Sequence, residues 1–411
     1  MRSIITAIDI GTNSVTTLVC ERTGKEKIRV LGLGRVPAFG MRRGAVADID
    51  EVSSAVKKSL KEAERSSNVK IRSCIASIGG THMGSFTSRG VVAVGRADGE
   101  ISDDDVKRVL TAAENLAPKN PNRDIVHIIP KEFRIDNEGG IKDPVGMVGI
   151  RLEADALIID GLRSAVASLL KCIESSGVTV EDVVFSPLAA SEAALSKRQK
   201  ELGVMLLDIG AGTSDFAVYE EGRLLSAGVF PVGGNHITND IAIGLKTAVS
   251  TAEAIKLRFG HSLPEVFSKR EVIKLAEFIP DDPALFPQRN LAEIIEARFR
   301  DIFELGMKEL KRVDRMGLLP AGVVLIGGAS RIPGIVELAK RELRLPVEIG
   351  SQSDFLEGAG EAHDFLSEIP VALGLVAWHL NRSSGKDPYF YTTSLGRVVS
   401  GVKNWLSYFL P

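Results

Sequence analysis

Two aspartates, each opening a glycine-containing turn, are the residues with the clearest chemistry. Asp208 ends the apolar run 204–207 in VMLLDIGAGTSDFAVY and is followed by Gly210, Gly212 and Thr213. The run predicts a buried strand and 216–219 a returning one, so the stretch is a hairpin with a glycine-rich tip and a carboxylate at its base. Glycines let backbone N–H groups converge on an anion without Cβ obstruction. A carboxylate beside phosphate requires a cation between them, so Asp208 implies Mg²⁺ held through water. The stretch IITAIDIGTNSVTTLV repeats the layout: Asp9, Gly11 and Thr12 line up with Asp208, Gly210 and Ala211, 199 residues apart in a chain of 411. One such stretch is explained by a tight turn; two, half a chain apart, predict a duplicated fold holding a nucleotide between its halves.

Other segments fall in an order that suits this reading. Gly233-Gly234 precedes a predicted helix. In STAEAIKLRFG, Glu253 and Lys256 lie three apart on one helical face, placed either for a ribose and purine or for a surface ion pair. VVLIGGASRIPG delivers Gly327 and Gly328 from a strand to where a flat base could stack on bare backbone, and FSPLAASEAAL predicts a small-residue helix suited to a hinge. No GxxxxGK[ST] loop and no G-x-S-x-G elbow occurs, and the six histidines lack ligand spacing.

These residues need a two-lobed scaffold. Strands are expected over 28–35, 72–78, 91–95, 126–135, 152–159, 183–185, 229–232 and 323–326. Helices are expected over 51–66, 104–117, 163–175, from about 187, 235–245, 250–259 (capped by Thr251 or Ser250), 269–278, 291–312, 333–343 and 371–380. Residues 280–287 read as a loop. The order strand, helix, strand, strand over 83–161 describes a small α+β insert. Hydrophobic residues make up 44% and charged residues 25%, an ordinary soluble composition. A net charge of −2 supplies no basic field for nucleic acid. Cys20, Cys74 and Cys172 are scattered in apolar runs, as buried thiols of a reducing cytosol are. The N-terminus does not read as a secretory signal, and no apolar run is long enough to span a bilayer.

The five segments resemble the phosphate 1, connect 1, phosphate 2, adenosine and connect 2 elements of the actin, hexokinase and heat-shock-chaperone superfamily, with IPVALGLVAW as connect 2. Within it the chain is most similar to the FtsA family of bacterial cell-division proteins, through GVVAVGRADGEISDDDV, HIIPKEF, DPVGMVGIRLE, FSPLAASEAAL and the C-terminal segment. The resemblance implies an α/β actin-like, ribonuclease H-like duplicated fold. Its subdomains would be 1A (1–82, 162–196 and 365–380), a displaced α+β subdomain 1C of SHS2 type (83–161), 2A (197–236 and 320–364) and 2B (237–319). A linker (381–394) and an amphipathic membrane-targeting helix (395–410) would follow. It implies ATP and Mg²⁺ bound by Asp9, Gly11, Thr12, Asn13, Asp208, Gly210, Gly212, Thr213, Gly233, Gly234, Glu253, Lys256, Gly327, Gly328 and Arg331. Filament formation through 1C and 2B, capture of the tail of the tubulin-like FtsZ by 2B (Arg298, Arg300 and Glu304 as candidates), recruitment of later division proteins and a place on the cytoplasmic face of the inner membrane at the septum are implied too. Where relatives in the wider superfamily carry Gln or Glu before the connect 1 helix, this chain has Ser186. A hydroxyl is no carboxylate base near neutral pH, so tight ATP binding with slow hydrolysis is expected. The alternatives are a pilus-assembly relative of the same fold and a small-molecule kinase.

The segment LGRVVSGVKNWLSYFL, 395–410, places Leu395, Val398, Val399, Val402, Trp405, Leu406, Phe409 and Leu410 on one helical face and Arg397, Ser400, Lys403, Asn404 and Ser407 on the other. It has no acidic side chain, and Trp405 and Tyr408 suit a headgroup boundary. A lone helix of this kind binds anionic lipid weakly, whereas many on one filament bind with avidity.

Overall fold

A computed structural model of the chain describes residues 3–24, 27–118, 120–268, 270–278, 283–350, 356 and 368–383. Two five-stranded sheets share one topology. The first runs Thr179–Phe185, Ser73–Ile78, Ile4–Ile10, Ser14–Arg22, Ile28–Pro37. The second runs Val347–Ile349, Val323–Ile326, Val204–Ile209, Ser214–Glu220, Arg223–Phe230. In each, an antiparallel three-strand meander begins with the aspartate-bearing strand, whose other edge pairs in parallel. The duplication seen in the two motifs therefore extends to whole sheets.

Local chemistry explains the flanking helices. Ile49–Ser67 starts at Asp48, whose carboxylate accepts from the N–H groups of Asp50 and Glu51, and ends at Asn68 in the left-handed region. Val52, Ala55, Val56, Leu60 and Ala63 form its buried stripe. Helix Ser186–Ala194 packs against both sheets, and helix Pro370–Ser383 packs against it and the first sheet. The core of the first sheet takes in Leu188, Ala189, Leu373, Val376, and also Leu206 and Val324 of the second sheet. The expected connect 2 helix extends past Leu380 to Ser383, into the segment read as linker.

The crossing of these two helices is set by Gly374. A Cβ there would lie 1.7 Å from the Ala189 carbonyl oxygen and 2.3 Å from its carbon, so only glycine admits the backbone contact. Gly374→Ala is therefore expected to lower stability by about 3 kcal/mol, the upper range for overpacking. Urea midpoints check this; an unchanged midpoint would rule out the tight crossing.

The insert differs from its expected order. Its sheet has four strands, Met83–Ala93, Arg151–Leu162, Arg123–Ile135 and Glu138–Ile141, with helix Asp103–Leu116 against it. The first strand begins eight residues before Val91, in the polar stretch MGSFTSRG, because pairing of Gly84 with Asp160 and Ser88 with Ala156 overrides its weak β-propensity. The fourth follows a two-residue turn, Asp136 and Asn137, both with positive φ, as type I′ hairpins require.

The helix expected over 269–278 is absent from its described residues. Val272–Lys274 is a strand paired with Leu285–Pro287, part of the expected loop 280–287, and Leu275–Glu277 is a single 3-10 turn. Cross-strand pairing defeated a short apolar pattern that suits either structure. The helix expected over 250–259 spans Val249–Phe259, with Ala248 at its N-cap and no side-chain cap, so Ser250 and Thr251 lie inside it. The expected 291–312 helix begins earlier, at Gln288, and the expected 333–343 helix begins later, at Ile335.

Candidate functional site

The hairpin tips meet. A Cβ on Gly212 would lie 2.7 Å from Thr12 Oγ1, so the second tip packs its bare backbone against the first. Gly11 N–H donates to the Ser14 carbonyl at 3.0 Å, and the exposed Asn13 accepts from Ala38 N–H at 3.0 Å. Gly233-Gly234 docks under the second tip. Gly234 N–H donates to the Gly210 carbonyl and Asn235 N–H to that of Ala211, both at 2.8 Å, which starts helix Gly234–Leu245 against the hairpin.

Glu253 and Lys256 do share a face, and the pair is more than a surface contact. Lys256 is buried and pairs with Glu253 at 2.6 Å, and its Nζ donates to Thr238 Oγ1 at 2.8 Å and to the Gly234 carbonyl at 3.4 Å. Gly327 has φ 87°, and a Cβ there would lie 2.3 Å from Asp208 Oδ1; beside Gly328 no atom comes within 4 Å. The structure thus sets Gly233-Gly234 and Lys256 against the second tip and Gly327 against Asp208. Arg331 stands at the surface, bound to Glu368 at 2.8 Å, and Glu368 also pairs with Arg35.

The carboxylates are crowded. Asp9 and Asp208 are half-buried at the base of the hairpins. Ser77 Oγ donates to Asp9 at 2.7 Å. Loss of solvation raises the Asp9 pKa, with Ser77 and Arg35 opposing, and raises that of Asp208 to about 7, with Asp9 adding to the rise. A third acid went unread in the sequence. Asp215 is buried and is the cross-strand partner of Asp208. Burial and then the Asp208 charge raise its pKa well above the ordinary value. The signal was in the hairpin itself, since strands symmetrical about the 211–212 tip place 215 opposite 208 and on the same face.

Among the described residues no ion pair reaches Asp9 or Asp208, an arrangement that fits a cation. Among the described residues no three His, Cys, Asp or Glu side chains converge as a ligand set. Asp9 and Asp208 would suit a hydrated divalent cation such as Mg²⁺. Bound there, it would neutralise phosphate charge. Glu192 turns away from the cleft, toward Lys200 at 2.6 Å and Asn381 at 2.7 Å, as its position in a regular helix requires.

The partner candidates are engaged internally. Arg298 forms a bidentate pair with Asp240 at 2.8 and 3.1 Å, Arg300 bonds Glu342 at 3.1 Å and Glu296 at 3.0 Å, and Glu304 pairs with Lys308 at 2.7 Å. Arg397, Val398, Val402, Lys403, Trp405, Leu406 and Phe409 lie outside the described residues. No helix of the described residues is long and apolar enough to cross a membrane.

Duplicated sheets, a helix packed between them and two aspartate hairpins that meet at their tips define an actin-like protein with an α+β insert. Its fold matches the PilM–PilN type IV pilus biogenesis complex (TM-score 0.68, 16% identity, 92% of this chain and 98% of that one). It also matches MreB5 of Spiroplasma citri bound to AMPPNP (TM-score 0.55, 13% identity, 94% and 98%). In sequence, the family profile "Cell division protein FtsA" matches residues 205–368, and "SHS2 domain inserted in FTSA" matches 80–160. The chain is 38% identical to Cell division protein FtsA of Bacillus subtilis over 347 residues, 84% of this chain and 78% of that protein. It is 31% identical to that of Escherichia coli K12 over 416 aligned residues, 98% of each. The chain belongs to the FtsA family of cell-division proteins.

Proposed function

We propose that this protein binds ATP with Mg²⁺ in the cleft, polymerises, and tethers FtsZ filaments to the cytoplasmic membrane at the septum, recruiting later division proteins. The observation that carries the nucleotide reading is the contact of the two glycine tips, Gly212 on Thr12, above Asp9 and Asp208. Gly11, Thr12, Asn13, Gly210 and Thr213 would surround the phosphates. Gly233, Gly234, Glu253 and Lys256 would hold the ribose and purine, with Gly327, Gly328 and Arg331 beside the base. Turnover is slow or absent in this reading, and the protein acts as a scaffold with a nucleotide switch. The subdomain division stated above goes with it. The 2B helix Gln288–Arg312 would offer the FtsZ tail a charged face, on which Arg300 and Glu304 are accessible and Arg298 is tied to Asp240.

Attachment rests on the amphipathic pattern of 395–410. Interfacial burial realises only part of the roughly 1.5–3 kcal/mol available per large apolar side chain. Ordering the helix opposes it by roughly 1–2 kcal/mol per residue. Filament avidity would then make attachment firm. Co-sedimentation with anionic vesicles, with and without ATP and FtsZ, tests the whole reading. Trp405→Glu should reduce the bound fraction at least tenfold; full retention on vesicles would refute the anchor.

A further inference from the structure

The stretch HIIPKEF, on the insert strand Arg123–Ile135, holds a cation that the nucleotide reading does not use. Asp155 pairs with Glu132 and Ala156 with Pro130, so Lys131 is the extra residue of a β-bulge. A bulge bends its strand and re-aims a side chain, and bulges are over-represented beside functional sites. Lys131 is half-buried and, among the described residues, makes no ion pair or hydrogen bond. Loss of solvation, then the Arg312 charge, lowers its pKa, with Asp155, Glu132 and Glu309 opposing. Those three acids already have arginine partners. Asp155 binds Arg89 at 2.7 Å and Arg134 at 3.4 Å, Glu132 pairs with Arg134 at 3.6 Å, and Glu309 pairs with Arg312 at 2.6 Å. A charge taken partly out of water without a counter-ion is costly, so the position calls for an anion.

The bulge opens on a space for one. Lys131 lines a cavity of about 310 Å³ where the insert meets strand Arg223–Phe230 and the end of helix Gln288–Arg312. Arg312 lines it too. Its Nε and Nη2 hold Glu309 and Ser226 Oγ, which leaves Nη1 without a hydrogen bond among the described residues. Arg315 is taken up by Glu220, through Nε at 2.7 Å and Nη2 at 2.6 Å. The Thr87 hydroxyl, on an exposed strand position of the insert, is unbonded among the described residues. Phe86, Leu157, Leu225 and Val313 supply apolar wall, and the exposed Asp314 adds a carboxylate.

We propose that this cavity binds a small phosphate monoester, with Lys131, Arg312 Nη1 and the Thr87 hydroxyl donating to the phosphate oxygens. A phosphate offers three strong acceptor oxygens and about two negative charges, enough for all three donors, where a carboxylate offers two oxygens and one charge. The apolar wall covers the carbon body of the ester, and Asp314 accepts from a hydroxyl on it. The volume stands at the small end of ligand pockets, which suits a body of a few carbons. Because the walls come from the insert and from the second half of the duplicated frame, an occupied cavity ties the two together. None of this depends on what the hairpins bind.

The test uses the full chain, with glycerol 3-phosphate as the probe, titration calorimetry for affinity and thermal unfolding alongside. Saturable binding and a raised melting temperature are expected. Glycerate and inorganic phosphate should each bind at least fivefold more weakly, the first for want of charge and the second for want of a carbon body. Lys131→Gln should weaken the ester at least tenfold, with a melting temperature without probe at or above wild type because the unpaired charge is gone. Thr87→Val, a swap of similar shape on an exposed strand, should weaken it about threefold or more. Excess ATP with Mg²⁺ should leave the affinity unchanged. No saturable binding of glycerol 3-phosphate overturns the proposal, as do wild-type affinity in both variants and glycerate or inorganic phosphate binding as tightly as the ester. A lower melting temperature in Lys131→Gln would make the lysine structural and also overturns it. Competition by ATP would place the ester in the nucleotide site and overturns it too.

Discussion

Gly327→Val should abolish useful ATP binding, with affinity falling at least about a hundredfold, equivalent to roughly 2.7 kcal/mol. Gly327 has φ 87°, where a β-branched residue is strained by about 1–2 kcal/mol. Its Cβ would also lie 2.3 Å from Asp208 Oδ1 and 2.6 Å from the Ile209 carbonyl oxygen, so the carboxylate and the strand end must shift. Equilibrium dialysis measures the affinity, and a lowered melting temperature should accompany the loss. Gly328→Ala separates strain from recognition. No atom lies within 4 Å of its Cβ position and its φ is not positive, so stability should hold. Affinity should still drop about tenfold if a base stacks on this backbone. Wild-type affinity in both variants would move the nucleotide elsewhere.

Acidification should destabilise the protein through His127, which ties the insert to Phe185 and Trp378. His127 lies on strand Arg123–Ile135, accepts the Phe185 N–H at Nε2 (3.0 Å), and packs edge-on to Trp378 at 5.4 Å. Burial, then the Arg382 charge, lowers its pKa from 6.5 to about 3. The folded state thus resists protonation. This contribution is fully present above pH 6.5 and is lost as pH falls toward 3, at about 1.4 kcal/mol per pH unit and about 2 kcal/mol by pH 5. Burial depresses His82 in the same direction, to about 4. The raised carboxylates act oppositely. Asp208, pushed up to about 7, makes the folded state less stable as pH rises from about 4 to 7. The comparison of interest is therefore wild type against His127→Gln, whose amide oxygen can still accept the Phe185 N–H. Urea midpoints at pH 7, 6 and 5 should show an acid-side slope smaller by about 1.4 kcal/mol per unit in the variant. Equal slopes would show that His127 does not carry the sensitivity.

Much of the scaffold was legible because local chemistry and tertiary demand agree there. Apolar runs ending in Asp and Gly can be strands turning at a phosphate-sized tip. The cap at Asp48 and the apolar stripe behind it specify one helix. Disagreement fell where pairing decided. The polar stretch beginning at Met83 becomes a strand only because Arg151–Leu162 offers it hydrogen bonds and a face to cover. The stretch 270–278 loses its helical pattern to a partner beyond it in the chain, Leu285–Pro287.

The same division runs through the site. Residue order alone carries the duplication, the two base carboxylates, the helical spacing of Glu253 and Lys256, the absence of an acid before Pro187, and the insert's place in the chain. These are statements of residue type and spacing, which the chain carries without folding. Folding alone reveals that Gly212 rests on Thr12, that Lys256 is buried under Gly234, that Glu192 turns toward Lys200, and that Gly374 brings two helices into backbone contact. It also brings Lys131 and Arg312 to one cavity from two separate segments. Convergence of that kind depends on sheet register and helix crossing, set by the packing of the whole core and by no local pattern.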